Sequence, residues 1–105
     1  MIAKTPKPPY YAVIFSSIKT EDDLDYGIMS DKMVALAQHQ EGFLGLESAR
    51  NDIGITVSYW ESLEAIKNWK INIKHTEARE KGRSTWYKKF KVRICKVERD
   101  YEFEK

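Results

Sequence analysis

Hydrophobic positions fall into six runs along this chain, and their spacing sorts the runs into strands and helices. Tyr10 to Ile18 is dense in aromatic and β-branched residues without helical spacing, which predicts a first strand, and Pro8-Pro9 holds the chain extended before it. The middle of that strand, Tyr11 to Phe15, is apolar on both parities. A strand with one wet face would alternate, so both sides of this one are expected to be covered. From Thr20 the pattern changes to a hydroxyl cap followed by Glu21, Asp22 and Asp23, carboxylates that suit the unpaired amides and positive dipole end of a helix. Tyr26, Met29, Met33, Leu36 and Gln40 then recur every three or four residues, and Glu41-Gly42 stops the run. Gly27 weakens the first half of this helix by about 1 kcal/mol relative to alanine.

Phe43 to Arg50 and Ile53 to Trp60 are two strand-length runs joined by the turn residues Asn51-Asp52, which predicts an antiparallel hairpin. In the second run Ile53, Ile55, Val57 and Tyr59 share one face, while Thr56, Ser58 and Trp60 share the other. That second face is mixed and uncharged, which suits a pocket wall or a subunit contact. Leu63, Ile66, Trp69 and Ile73 restore helical spacing, so a second helix is expected from about Ser62 to near Lys81, ended by Gly82, with Ser84 or Thr85 capping a short turn. A last strand is expected from Phe90 to Phe103. Phe90, Val92 and Ile94 take one parity while Cys95, Val97, Tyr101 and Phe103 take the other, which implies a bulge or bend near Cys95-Lys96. The order of elements predicts an α+β, ferredoxin-like βαββαβ fold: a four-stranded antiparallel sheet with both helices on one face. The two-sided apolarity of the first strand then implies a second copy of the sheet as the cover for the open face, a homodimer forming a dimeric α/β barrel.

With 105 residues and no Gly/Ser-rich or acidic linker, the chain reads as an extended or disordered segment at 1–9 and one domain at 10–105. Eighteen basic and sixteen acidic side chains are interspersed, giving a net charge of +2, so no nucleic-acid partner is expected. The basic run Arg79, Lys81, Arg83, Lys88, Lys89, Lys91 and Arg93 reads as a solvated face. Cys95 is the one cysteine, read as a small, buried or half-buried apolar residue in a reducing compartment. No secretory pattern and no run of roughly 20 apolar residues is present, so the expectation is a cytoplasmic protein with no membrane partner.

The candidate chemistry gathers between Tyr59 and Tyr87, where three tryptophans, two tyrosines and a histidine surround one predicted helix. Large rings with one polar handle either fill a core or line a pocket for a flat organic molecule. Glu41-Gly42-Phe43-Leu44-Gly45-Leu46-Glu47 after the first helix, Tyr59-Trp60-Glu61-Ser62 at the strand-to-helix junction, Ala65-Ile66 with Trp69, His75 with Ala78, and Trp86-Tyr87 form a combined pattern. In these residues, from about Tyr11 to Tyr101, the chain resembles the antibiotic biosynthesis monooxygenase (ABM) domain family of dimeric α/β barrels.

That family includes oxygenases of polycyclic phenols that use neither metal nor flavin, haem-degrading enzymes, and small-molecule-processing proteins. The resemblance places Trp60 at the pocket edge used by the phenol oxygenases, but Thr56 and Ile66 stand where those enzymes carry asparagine and tyrosine. It matches Trp69 to the tryptophan that distorts haem in the degrading branch, but Arg79 stands where the iron-binding histidine is expected, and Ser16-Ser17 replace that branch's asparagine. The activity implied is a cofactor-independent monooxygenase acting on a small, flat, hydrophobic molecule of phenol or quinol type, in a pocket between helices and sheet. Trp60, Trp69 and Trp86 are its candidate walls, with Asn68 and Asn72 as further substrate contacts, and His75 and Arg79 as the catalytic pair: a base titrating near neutrality and a cation for the resulting anion. The same tryptophans also read as core, and His75 as a partly exposed helix residue. One alternative is a non-catalytic small-molecule-binding or stress-associated dimeric module; a second is a haem-binding or haem-degrading protein. No phosphate loop, clustered metal ligands or nucleophile elbow is present, so neither a metal nor another cofactor is expected.

Overall fold

A computed structural model gives the structure of the protein; the described residues are 1–21, 23–79 and 86–105, except for the side chains of 23–25 and 75–79. Among them the chain forms β1 (Tyr10–Lys19), α1 (Asp23–Gln38), β2 (Phe43–Arg50), β3 (Gly54–Trp60), α2 (Leu63–Arg79) and β4 (Tyr87–Val97). The strands make one sheet in the order β2-β3-β1-β4, every neighbouring pair antiparallel, which is the expected ferredoxin-like α+β fold. The expected stop at Gly82 and caps at Ser84 or Thr85 lie outside the described residues.

Register separates the two faces of the sheet. Val13, Ser58, Leu46 and Ile94 form one cross-sheet row, and Phe15, Thr56, Ser48 and Val92 the next. This is the face beneath the helices, so the mixed face read in β3 is an internal wall. The other face carries Ile14 opposite Val57 and Arg93, and Ala12 opposite Tyr59 and Cys95.

β4 ends at Val97 instead of continuing to Phe103. Val97 pairs with Tyr10, and the residues before Tyr10 are Pro8 and Pro9, whose nitrogens carry no hydrogen to donate to a longer ladder. The bend expected near Cys95-Lys96 is absent, because the change of parity there reflects two apolar faces: Ile94 lies beneath the helices and Cys95, half-buried, on the opposite side. The register of β4 against β1 shifts at Ile18/Lys19, and β2 has a second irregularity between Phe43 and Gly45. Leu63 is likewise exposed rather than part of the core, since it precedes the first turn that touches the sheet.

Gly42 makes the approach of α2 possible. It has φ +84°, a conformation costly for residues with a Cβ, and a Cβ there would lie 2.5 Å from that of Ala65. Its carbonyl accepts from Glu61 N at 2.9 Å, tying the loop after α1 to the start of α2, and Ser62 Oγ caps that helix by accepting from Ala65 N at 3.0 Å.

On the opposite face the terminal segments are tied down. Glu47 accepts from Tyr59 Oη at 2.6 Å and from Ala3 N at 2.9 Å, bonds that hold its carboxyl below the ordinary 4.5. Burial, reinforced by the Glu47 carboxylate, pushes the Tyr59 hydroxyl up to about 12. Tyr10 Oη donates to Asp100 and accepts from Thr5, so segments before β1 and after β4 meet at one ring.

Gly27 of α1 is exposed, with nothing within 4 Å of an added Cβ. Chemical denaturation should therefore show Gly27→Ala stabilising by about 0.4–1 kcal/mol, and Gly42→Ala destabilising on the order of 1–3 kcal/mol or more. The depressed carboxyl of Glu47 contributes stability that is present above its ordinary 4.5 and lost as pH falls through its lower folded value. The raised Tyr59 hydroxyl contributes stability present below 10 and lost as pH rises toward about 12. Unfolding curves of Glu47→Gln should lose this carboxyl's acid-side contribution, and those of Tyr59→Phe this hydroxyl's share of the alkaline one, the raised hydroxyl of Tyr10 remaining.

Candidate functional site

Helix α2 meets the sheet at its first turns. Trp60, at the end of β3, is completely enclosed there with Ala65 and Ile66, and Tyr11, Val13, Phe43 and Trp69 pack around that cluster. Its ring lies edge-on to Phe43 at 5.3 Å and stacked with Trp69 at 5.7 Å, pairings worth about 0.5–1.5 kcal/mol each beyond the area they bury. The indole N-H is satisfied by Ser58 Oγ at 2.9 Å.

Beyond this anchor, helices and sheet separate around a cavity of about 870 Å³. Val13, Phe15, Thr56 and Ser58 form its floor, Met29, Met33 and Val34 of α1 one wall, and Ile66, Trp69 and Ile73 of α2 the other. Phe90, Val92 and Ile94 complete it along β4, where 42%, 42% and 53% exposure marks the open side. The size and mainly apolar surface suit a small organic molecule, with the hydroxyls of Ser48, Thr56 and Ser58 as orienting groups.

One end of this recess is aromatic and cationic. Phe15 stacks with Phe90 at 5.4 Å and meets Tyr87 edge-on at 5.3 Å, and Tyr87 meets Tyr26 of α1 at 5.8 Å. Arg50, the last residue of β2, has its guanidinium carbon 5.2 Å from the centroid of Tyr26 and donates through Nη2 to the buried hydroxyl of Ser17. Arg50 Nη1 and Trp86 Nε1 are buried without a hydrogen-bond partner among the described residues. Lys70 and Lys74 add cations at the rim on α2. Among the described lining residues there is no carboxylate and no imidazole.

The residues expected at the site are therefore distributed. Trp69 and Trp86 line the recess; Trp60 lies behind Trp69 in the core and reaches the recess through Ser58. Asn68 is exposed on the outside of α2, because two positions after Ile66 on a helix is the far side. Asn72 donates to Gln40 Oε1 at 3.0 Å and lies outside the lining, bracing α2 against the loop that follows α1. His75 and Arg79 fall in the last turns of α2, after the lining residues Ile73 and Lys74, and their side chains lie outside the described residues. Arg50, Ser17 and Tyr26 were not anticipated. The available signal was an arginine on the β2 parity shared with Leu46 and Ser48, opposite a glycine.

No family model matches the chain. It is 53% identical over 105 residues, 98% of its length and 92% of the other protein's, to the uncharacterized protein YqjZ of Bacillus subtilis (strain 168). A crystal structure of a protein of unknown function from Nitrosomonas europaea superposes with a TM-score of 0.70 at 7% identity, covering 95% of this chain and all of that one. A Bacillus cereus protein provisionally named an antibiotic biosynthesis monooxygenase superposes with a TM-score of 0.59 at 17% identity, covering 91% and 100%. At these identities the structural likeness is one of fold.

Proposed function

The chain belongs to the family of Bacillus subtilis YqjZ, and on that footing we propose that its recess receives a small, flat, apolar molecule of phenol or quinol character and directs dioxygen onto it without a cofactor. The observation that carries this reading is the recess itself: about 870 Å³ between helices and sheet, apolar on most sides, with hydroxyls on the floor and cations at one end. A phenol or quinol placed there loses a proton more readily, because fixed positive charge in a poorly hydrated pocket favours the anion. The electron-rich anion then reacts with dioxygen; one oxygen atom becomes a carbonyl of the product and the other leaves as water, whose two hydrogens, with their electrons, come from the substrate's own C-H and O-H bonds. In this reading His75 takes the proton and Arg79 supports the anion, while Trp69 and Trp86 hold the rings in line.

A second reading is a module that holds such a molecule without turnover. Thr56 and Ile66, which line the recess where the phenol oxygenases carry asparagine and tyrosine, favour it. Oxygen uptake with a panel of quinols and naphthols separates the two. Uptake by the wild type that falls about 10²–10⁴-fold in His75→Ala supports catalysis by the named base. Binding without uptake leaves the module, and uptake indifferent to both His75→Ala and Arg79→Ala removes the proposed pair.

The reading includes a homodimer joined through the sheet face away from the helices. Ile18 and Ile55 on that face are 41% and 45% exposed, and beyond β4 Tyr101 and Phe103 are 98% and 86% exposed, apolar surface that a second copy would cover. Sedimentation velocity at micromolar concentration should give a species of twice the 12.3 kDa chain mass. A clean monomer would remove the dimer.

A further inference from the structure

The least expected group in the recess is the guanidinium of Arg50, and four elements hold it in place. Arg50 on β2 pairs with Gly54 on β3, and Gly54 pairs with Ser17 on β1. Because residue 54 has no side chain, the arginine lies across it, and a Cβ there would run into the guanidinium. Its far end donates through Nη2 to Ser17 Oγ, itself only 3% exposed, and the ring of Tyr26 from α1 stands over it at 5.2 Å. Two partners are thus spent on orientation. Nη1 is buried with no acceptor among the described residues, and the described lining of the recess that Arg50 borders adds Lys70 and Lys74 and no carboxylate.

Arginine keeps its charge at any physiological pH, so this donor cannot relieve itself by losing a proton. A buried charged donor without a partner is unfavourable, and an anionic oxygen is the group that satisfies it best, through a short charge-assisted hydrogen bond. The indole N-H of Trp86, a residue 6% exposed that lines the same recess, is a second buried donor without an acceptor among the described residues. Both unpartnered donors ask for an acceptor, and the remaining walls ask for hydrocarbon.

We propose that Arg50 is the specificity-determining residue of the recess, and that the molecule taken there is an apolar acid: an aromatic or aliphatic body bearing one anionic oxygen group, carboxylate or ionised phenol, accepted by the Arg50 guanidinium. This rests on the reading that the recess receives an apolar molecule, and adds which one it prefers. Gly54 gives the side chain its path, Ser17 and Tyr26 fix its plane, and the anion completes its hydrogen bonding.

Isothermal titration with 2-naphthoate and with 2-naphthamide, which share one ring system and differ in charge, tests the proposal on the wild-type protein. Naphthoate should bind at least about ten-fold more tightly, the scale of one hydrogen bond to a charged group. Arg50→Met should remove most of that preference while leaving naphthamide within about two-fold, and Trp86→Phe should weaken naphthoate less than Arg50→Met does. Equal binding of the two probes by the wild type, or equal weakening of both in Arg50→Met, overturns the role of Arg50 while leaving the recess as a ligand site. If neither probe binds, the recess reading fails and this inference fails with it. The comparison of probes on the wild type decides the matter even if a variant does not fold.

Discussion

The enclosure of Trp60 is the contact on which the rest of the structure depends. One indole at the end of β3 fills the space where β3 stops and α2 begins, and it brings together Phe43 from β2, Tyr11 and Val13 from β1, and Ala65, Ile66 and Trp69 from α2. Its burial is compatible with its polar atom only because Ser58, two residues back on the same face, accepts the indole hydrogen. The loop between α1 and β2 can lie beside it because Gly42 has no side chain to collide with Ala65. Fixing α2 at this end leaves the stretch from Trp69 to Lys74 standing over the sheet with space beneath it, and that space is the recess.

The two ends of the recess differ in chemistry for a reason set by the sheet. Near the anchor the floor is Val13, Leu46 and Ser58, small or apolar groups under tryptophan. At the other end the register aligns Arg50, Gly54, Ser17 and Phe90 in one row across all four strands. A row with a glycine at its centre has room for a long side chain to lie flat, and the arginine uses it. The fold therefore places a fixed charge at the far end of an apolar slot, a layout of the kind found in sites for small organic molecules.

Carboxylates among the described residues concentrate elsewhere. Glu47 serves the outer face of the sheet, joining Tyr59 to the amide of Ala3, and Asp100 meets Tyr10 beside it. These acids tie the terminal segments to β1, β2 and β3 and are separated from the recess by the sheet itself. The same strand, β2, thus sends an acid to one side at Glu47 and a base to the other at Arg50, three residues apart and of opposite parity.

Local pattern was enough for the elements, their order and the fold class. Helical spacing in Tyr26, Met29 and Met33, the Asn51-Asp52 turn, and the aromatic junction at Tyr59-Trp60 are short-range signals, legible without knowing what any of them touches. Trp69 and Trp86 were legible as ring-bearing wall candidates for the same reason. The length of β4, the burial of Trp60 away from the recess, and the use of Asn72 as a brace to Gln40 depend on partners far along the chain. So does the arginine: Ser17, Tyr26, Arg50 and Gly54 have no spacing that marks them as a group. Strand pairing makes the first, third and fourth of them neighbours, and a helix packed over the sheet supplies the second. A sequence can specify which residues favour a strand or a helix, because that is decided within a few bonds; which charge is left unpartnered in a cavity is decided only when distant segments close around it.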